Sequence, residues 1–472
     1  MDKPVPLFRE VIWPENCQVH FPESKAFADA TLRWSTYKPP NFAAVAVPQN
    51  EDAVATIVKT ARTANIPFLA TGGRHGYGTT LGTLQNGLAI DLRQLRGHEI
   101  DKAAGTITVG AGTLIGDVIG PVHDAGFALP VGSCMEVGLI GATLGAGVGI
   151  FQGLLGLIID SLVSVRLVTA DGNLVEASED LNPDLFWGIR GAGANFGIAT
   201  SATYKLHDAV DINNGQVMTA DLVFSAHMKS DYFKTLESFE DKWPAELAGG
   251  STIAWNADSE ATQVIATFVY CGPEAEGRKV LAPFFDLDPP AVRVSMTPYN
   301  KVASTIVFGM IPTLSPPGSI RDIITVNIRK LHADTFISAF EKFDAFYRAN
   351  PDGRSSAGLF ETFSNHAVSA VSNDATAYPW RDAKGNLIFQ MAWPEGKPVE
   401  EAANALGREL RSEFAATSGY PDLSVYVSYA WGDETLEQIY GKEKLPRLAA
   451  LKKKWDPDNV FRYNHALPTE YP

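Results

Sequence analysis

The chain has 472 residues and a formal charge of −15 at neutral pH, too long for one ordinary core and too acidic to be drawn to nucleic acid or anionic lipid surfaces. Hydrophobic residues make up 45% and charged residues 20%, and no stretch approaches the ~20 apolar residues that span a bilayer. Three scattered cysteines, Cys17, Cys134 and Cys271, exclude a disulfide framework and a zinc site with paired spacing, so no metal is expected.

The amino-terminal stretch MDKPVPLFREVIWPENCQVHF carries acids and prolines where a secretory signal would carry an apolar run; an intracellular location is the expectation. From Phe42 to Leu95 the pattern reads strand, helix, strand: AAVAVP is apolar and β-rich, EDAVATIVKTARTAN has helical spacing, and IPFLATGG returns as a buried strand ending in glycines. TITVGAG follows, then a short amphipathic helix predicted from Leu114, Ile115, Val118 and Val122. The glycine-dense GLIGATLGAGVG leads to SLVSVRLVTADGNLVEAS, two strands joined by an ADGN hairpin turn.

Beyond Leu206 strand-like VMTADLVF, STIAWNA and TQVIATFVY alternate with helical HMKSDYFKTLESFEDKW, predicting a second domain with an antiparallel sheet and helices on one face. LPRLAALKKKWDPDNVFRYNH reads as a basic amphipathic helix stopped by DPDN. The fold class is α+β, with expected divisions at 1–208, 209–438 and 439–472.

Three glycine clusters, GGRHGYG at Gly72 to Gly78, GATLGAGVG at Gly141 to Gly149 and GAGANFG at Gly191 to Gly197, fit neither the Rossmann fingerprint nor the phosphate loop with its Lys and Ser/Thr. Each alone reads equally as turns and close packing. Together they would let backbone N–H groups approach a diphosphate that an acidic protein otherwise repels.

The order Pro48 to Val58, GGxHG (Gly72 to Gly76), DLrxL (Asp91 to Leu95), VGAGT (Val109 to Thr113), CxxVGxxGxxLGxG (Cys134 to Gly147), GLxxD (Gly156 to Asp160), DLFWGIRGAGANFGI (Asp184 to Ile198) and KxxWDPxNxF (Lys452 to Phe461) resembles the berberine-bridge-enzyme-like FAD-linked oxidases of the vanillyl-alcohol-oxidase superfamily, over almost the full length. The resemblance implies a two-subdomain PCMH-type FAD-binding domain, a substrate domain whose helix-covered antiparallel sheet lies over the flavin ring, and a tail returning to the FAD domain. It places covalent FAD on His75, and on Cys134 through a second bond, although Met135 follows where the family usually has Pro. Gly72, Gly73, Gly76, Val137, Gly138, Gly141, Leu144, Gly145, Gly147, Gly197, Ile198, Tyr463 and Asn464 would complete the cofactor site. Arg74 stands where a glycine is common and has two readings, a bidentate partner of the diphosphate or a solvated loop side chain.

Oxidation also needs a base for the proton that leaves with the hydride. YVSY resembles the family's YxNY strand, which makes Tyr429 the first candidate and Tyr426 the second, with Ser428 in place of Asn; two tyrosines packing a sheet is the bland alternative. A strand would send residues 426 and 429 to opposite faces, and Tyr429 would need a nearby cation or a coupled flavin to lower its pKa. Glu361 lies where the family carries acidic or polar residues reaching the pocket, and is either a buried base or a salt-bridged surface group. Trp380 and the segment from Tyr299 to Pro312 are candidate pocket walls, the latter equally a core strand; His465 is a packed tail residue. Val137 resembles the oxygen-reactive members. The expectation is an oxidase passing electrons to O2, giving H2O2, on an alcohol, amine or ring-closing C–H of a hydrophobic natural-product intermediate. The alternatives are oligosaccharide oxidation and a cyclase with structural FAD. The partners expected are a small-molecule substrate and O2, with a monomer or weak dimer in solution.

Overall fold

The computed structural model describes residues 5–311 and 316–471; Met1 to Pro4 of the amino-terminal stretch and Pro312 at the end of one expected pocket wall lie outside them. Four strands, β1 (Cys17–His20), β2 (Phe42–Pro48), β3 (Phe68–Thr71) and β4 (Gly87–Asp91), form the first sheet in the order β1-β2-β4-β3. β2 is buried at every position, as a strand covered on both faces must be. The helix Glu51–Thr63 starts where the Asn50 side chain accepts the Ala53 N–H, carries Glu51 and Asp52 in its first turn, and buries Val54, Ile57, Val58 and Ala61. The predicted strand-helix-strand unit is therefore present, with β4 inserted between its two strands and parallel to both.

A five-stranded sheet follows: β5 (His98–Asp101) and β6 (Thr106–Gly110), then, after the small β7 (Phe127–Ala128), β8 (Leu162–Val168), β9 (Leu174–Ser178) and β10 (Ile198–Lys205), in the order β5-β6-β10-β8-β9. β8 and β9 form the hairpin expected from ADGN. β11 (His207–Asp208) pairs with β7. The last sheet, antiparallel throughout, contains β12 (Gln216–Ser225), β13 (Leu247–Asn256), β14 (Ala261–Tyr270), β15 (Ala291–Pro298), β16 (Ile320–Ile328), β17 (Ala357–Phe363) and β18 (Gly385–Trp393), ordered β15-β12-β14-β13-β17-β18-β16. Helices Lys229–Ser238, Ala333–Ala349 and Glu400–Thr417 share one hydrophobic core with it.

The period-2 alternation of these strands decides what faces the site. On β17 Phe360 joins the helix-side core while Glu361 and Phe363 turn the other way, and on β18 Leu387, Phe389 and Met391 alternate with Asn386 and Ile388. The first two sheets share a separate core with the tail residues Leu445, Leu448, Leu451 and Leu467. Among the described residues no helix is long and apolar enough to cross a membrane, and no cluster of His, Cys, Asp or Glu could hold a metal.

Two local expectations are overturned. Tyr426 to Tyr429 is no strand: Val427–Tyr429 form a 3-10 turn, because this segment hangs from β16 by a single bond from Thr325 Oγ1 to the Tyr429 carbonyl instead of a ladder. Val302 to Ile311 is likewise not a core strand. It forms helical turns at Val302–Thr305 and Val307–Gly309, and the Val307 and Phe308 N–H groups donate to the buried Asp221 carboxylate.

Candidate active site

The loop that leaves β3 carries Gly72 to Gly78 along a cavity of about 370 Å³. Gly73 passes against the backbone of Gly138 so closely that a Cβ would strike the Gly138 nitrogen. Glycine at both positions lets two backbones meet, and this brings the His75 loop beside the Cys134 to Gly138 segment. Cys134 Sγ lies 3.5 Å from His75 Nε2. The two residues expected to attach the cofactor, 59 positions apart in sequence, are therefore neighbours in the cavity wall.

His75 stacks on Trp34 at 4.6 Å between ring centroids and 19° between planes. The Arg321 guanidinium covers the other neighbour in this column, 4.5 Å from the Trp34 ring. Arg33, buried, donates to the Gly76 carbonyl at 2.7 Å. Burial, with Arg321 and Arg33 nearby, pushes the His75 pKa down to about 4. The imidazole is thus neutral at physiological pH and keeps a nitrogen lone pair. Burial pushes the Cys134 thiol up to about 12, against the backbone hydrogen bonds of Glu136 and Val137 and with the Glu136 carboxylate, so sulfur stays protonated. Arg74, with φ at +57°, donates through one guanidinium nitrogen to the Asp29 carbonyl.

Gly141, Leu144, Gly145, Gly147, Gly197, Ile198, Tyr463 and Asn464 all line the same cavity, as do Gly72, Gly73, Arg74, Gly76, Val137 and Gly138. A Cβ on Gly145 would collide with Ser428 Oγ, whereas one on Gly141 would meet nothing within 4 Å. Bare backbone thus serves close packing at Gly145 and an open cradle at Gly141, and the cradle fits an extended dinucleotide.

Linked to His75 through the Trp34 and Tyr77 rings stands a cluster of acid and phenols. Tyr429 donates to Glu361 Oε2 at 3.2 Å. Tyr426 packs on Tyr429 at 4.8 Å and Tyr77 stacks on it at 6.4 Å. The Tyr426 hydroxyl accepts the Gly147 N–H at 3.0 Å. Both tyrosines line one cavity because the 3-10 turn, unlike a strand, does not send 426 and 429 to opposite faces. Burial raises the Glu361 pKa to about 7, only partly offset by the Tyr429 hydrogen bond. Tyr429 rises well above 10 through burial, then through Glu361, Tyr77 and Tyr426. No cation contributes to either shift, so of the two ways to lower the tyrosine pKa only a coupled flavin is left.

Trp380 is not part of the wall; its indole N–H donates to the Val425 and Ile439 carbonyls, bracing the turn from behind. The segment 302–311 is also absent from the lining. His465 is buried at 5% exposure, and its carbonyl accepts the Tyr440 hydroxyl at 2.8 Å, a packed role with its ring against Gly78. Tyr77, Trp34, Arg33, Arg321 and Asn386 escaped sequence reasoning. Tyr77 lay within the GGRHGYG cluster and was legible there; the others carry no local signal.

Several motif residues prove structural. Asp160 of GLxxD, partly buried, pairs with the buried Arg381 at 2.7 Å. Lys452 and Asp456 of the tail motif form a fully buried pair at 2.7 Å. Lys452 also donates to the Asn195 and Phe461 carbonyls, and the Asn195 side chain holds the Leu467 N–H and the Tyr440 hydroxyl.

Residues 42–178 match the FAD binding domain family and residues 425–468 the berberine and berberine like family. FAD-linked oxidoreductase fogF of Aspergillus ruber is 46% identical over 468 residues, covering 99% of this chain and 94% of that protein. In fold the chain is similar to BBE-like 1 of Physcomitrella patens, with a TM-score of 0.84 at 21% identity over 97% of this chain and 98% of that one. It is also similar to a glucooligosaccharide oxidase of Acremonium strictum, whose structure reveals a novel flavinylation, with a TM-score of 0.82 at 22% identity over 96% and 97% of the two chains.

Proposed function

The chain belongs to the berberine-bridge-enzyme-like FAD-linked oxidoreductases, and from that premise we propose an oxidase whose Glu361–Tyr429 pair takes the proton that leaves as a carbon is oxidised. Bound FAD supplies a two-electron acceptor for the hydride. A substrate hydroxyl or amine donates its hydrogen to the Tyr429 oxygen while the Tyr429 proton passes along its hydrogen bond, 3.2 Å between oxygens, to Glu361. No free tyrosinate forms at any point, which suits a phenol held well above its ordinary value. The carboxylate at about 7 is poised to receive a proton at neutral pH. This hydrogen bond is the observation that carries the reading.

His75 is assigned to the first covalent link and Cys134 to the second, with O2 as the final acceptor and Val137 on its path. What supports the pairing is the 3.5 Å between Nε2 and Sγ. The wall around Tyr429, formed by Tyr77, Tyr426, Val427 and Phe363, suits a hydrophobic and partly aromatic substrate better than a sugar chain. The test is an anaerobic absorption spectrum of the purified protein with panels of aryl and allylic alcohols, amines and oligosaccharides, followed by acid precipitation. Bleaching by an aryl or allylic compound and a yellow pellet are expected. Bleaching by oligosaccharides alone would move the assignment to carbohydrate oxidation. Turnover without bleaching would instead mark a non-redox cyclase.

A further inference from the structure

Behind Glu361 a row of polar side chains crosses three adjacent strands on the face turned to the site. Glu361 on β17 is paired in register with Asn386 on β18, and Asn386 is paired with Asn327 on β16. Directly opposed residues of antiparallel strands point the same way, with Cβ atoms about 4.5–5.5 Å apart. Carboxyl and two carboxamides therefore stand side by side. Asn386 is 5% exposed and Asn327 is 1% exposed. The Asn327 backbone N–H donates to the Ser424 carbonyl, which brings the buried Ser424 hydroxyl over the end of the row.

Three atoms of this group have no protein partner: Asn386 Oδ1, Asn327 Nδ2 and Ser424 Oγ. An acceptor, a donor and a hydroxyl that does either are the set that satisfies one water molecule, and leaving them all unmet would carry the desolvation penalty of three buried polar groups. Internal waters occupy sites with two to four such polar partners. The site is too deep in the sheet to hold substrate, since neither asparagine lines the cavity.

We propose that Asn386 is a positioning residue for the Glu361–Tyr429 pair, acting through an internal water that it shares with Asn327 and Ser424. The inference rests on Glu361 being the proton acceptor. The water and the Asn386 amide stabilise the ionised carboxyl from the side away from Tyr429, and so hold its titration inside the neutral range. The other groups facing Glu361 are the Tyr429, Tyr77 and Tyr426 phenols, and its β13 partner in register is Gly250, which bears no charge. Asn386 and its water are then what opposes the upward push of burial besides Tyr429.

Infrared difference spectroscopy of the flavin-loaded enzyme tests this without a substrate. A protonated-carboxyl band that titrates near neutrality and vanishes in Glu361→Gln identifies the group. Asn386→Leu is expected to raise its midpoint by about one pH unit, a tenfold change in acidity, and Ser424→Ala to raise it less. The double variant should rise by less than the sum of the two, because both remove the same water. Asn386→Ser, which keeps a polar atom, should restore most of the native midpoint. A loosened sheet that admits solvent would shift the midpoint down instead. Coincident midpoints for the native enzyme and Ser424→Ala, a substitution small enough to fold, or a downward shift in Asn386→Leu, overturn the proposal. Failure of the base reading is seen separately, as undiminished flavin bleaching in Glu361→Gln.

Discussion

A carboxyl that titrates high in the folded protein has consequences for both rate and stability. Glu361 moves from an ordinary 4.5 to about 7, so the base is ionised only above neutrality, and flavin reduction is expected to rise with pH through about 7. Glu361→Gln should lower the reduction rate by roughly 10²–10⁴-fold, the usual worth of a positioned base; rapid-mixing absorbance is the measurement. The sign for stability runs the other way. The folded state holds this proton more tightly than the unfolded chain, so its contribution is full below pH 4.5 and is lost as pH climbs through 7. Melting temperature should therefore fall less between those limits in Glu361→Gln than in the native enzyme. Along the same cavity, Cys134→Ala should retain a coloured acid pellet through His75, and only removal of both side chains should leave the pellet white. Colour persisting in His75→Ala together with Cys134→Ala would remove both residues from the assignment.

At the scale of elements, one partly buried ion pair joins distant segments and one fully buried pair closes the tail helix. Asp160, ending the turn Ile158–Asp160, meets Arg381 beyond the TAYPW stretch, while Lys452 in the helix Leu445–Trp455 meets Asp456 at its end. Removing one partner of such a pair strands a charge and costs about 3–5 kcal/mol. Lys452→Met and Asp160→Asn are each expected to lower stability in urea by that order, with loss of the tail's hold on Asn195 in the first. A denaturation midpoint unchanged in Lys452→Met would show the tail to be dispensable. Gly145→Ala carries a different expectation: its methyl would drive Ser428 away and shift the turn bearing Tyr429, so flavin reduction should fall while His75 attachment, on another loop, persists. The base cluster was only half legible from the sequence. YVSY and Glu361 were both recognisable as candidates, but which of them receives the proton depends on burial and on the absence of a cation contributing at Tyr429, neither of which residue spacing reports.

In the whole molecule the cavity runs from the glycine loops of the first sheets to the face of the seven-stranded sheet. FAD would be held there by the glycine loops together with Glu361 and Phe363 of the seven-stranded sheet, so it should stabilise the fold by mass action. In a variant lacking both His75 and Cys134, free FAD at one hundred times its dissociation constant is expected to add about 2.7 kcal/mol, read as a concentration-dependent melting temperature. A melting temperature indifferent to FAD would sink the cofactor assignment.

Local chemistry was enough to place the strand-helix-strand unit, the ADGN hairpin, the helix-covered antiparallel sheet and the glycine-lined cofactor cradle, because periodicity, turn residues and glycine runs act over a few neighbours. The same reach explains what it could not place. The Arg321–Trp34–His75 column, the Tyr429–Glu361 hydrogen bond and the Glu361–Asn386–Asn327 row each join residues tens to hundreds of positions apart, and only the pairing of strands and the turn at Val427 bring them within bonding distance. The kind of cofactor belonged to the sequence; the protonation states that would operate on it belong to the fold, since burial and neighbouring charge exist only once the chain has closed around the site.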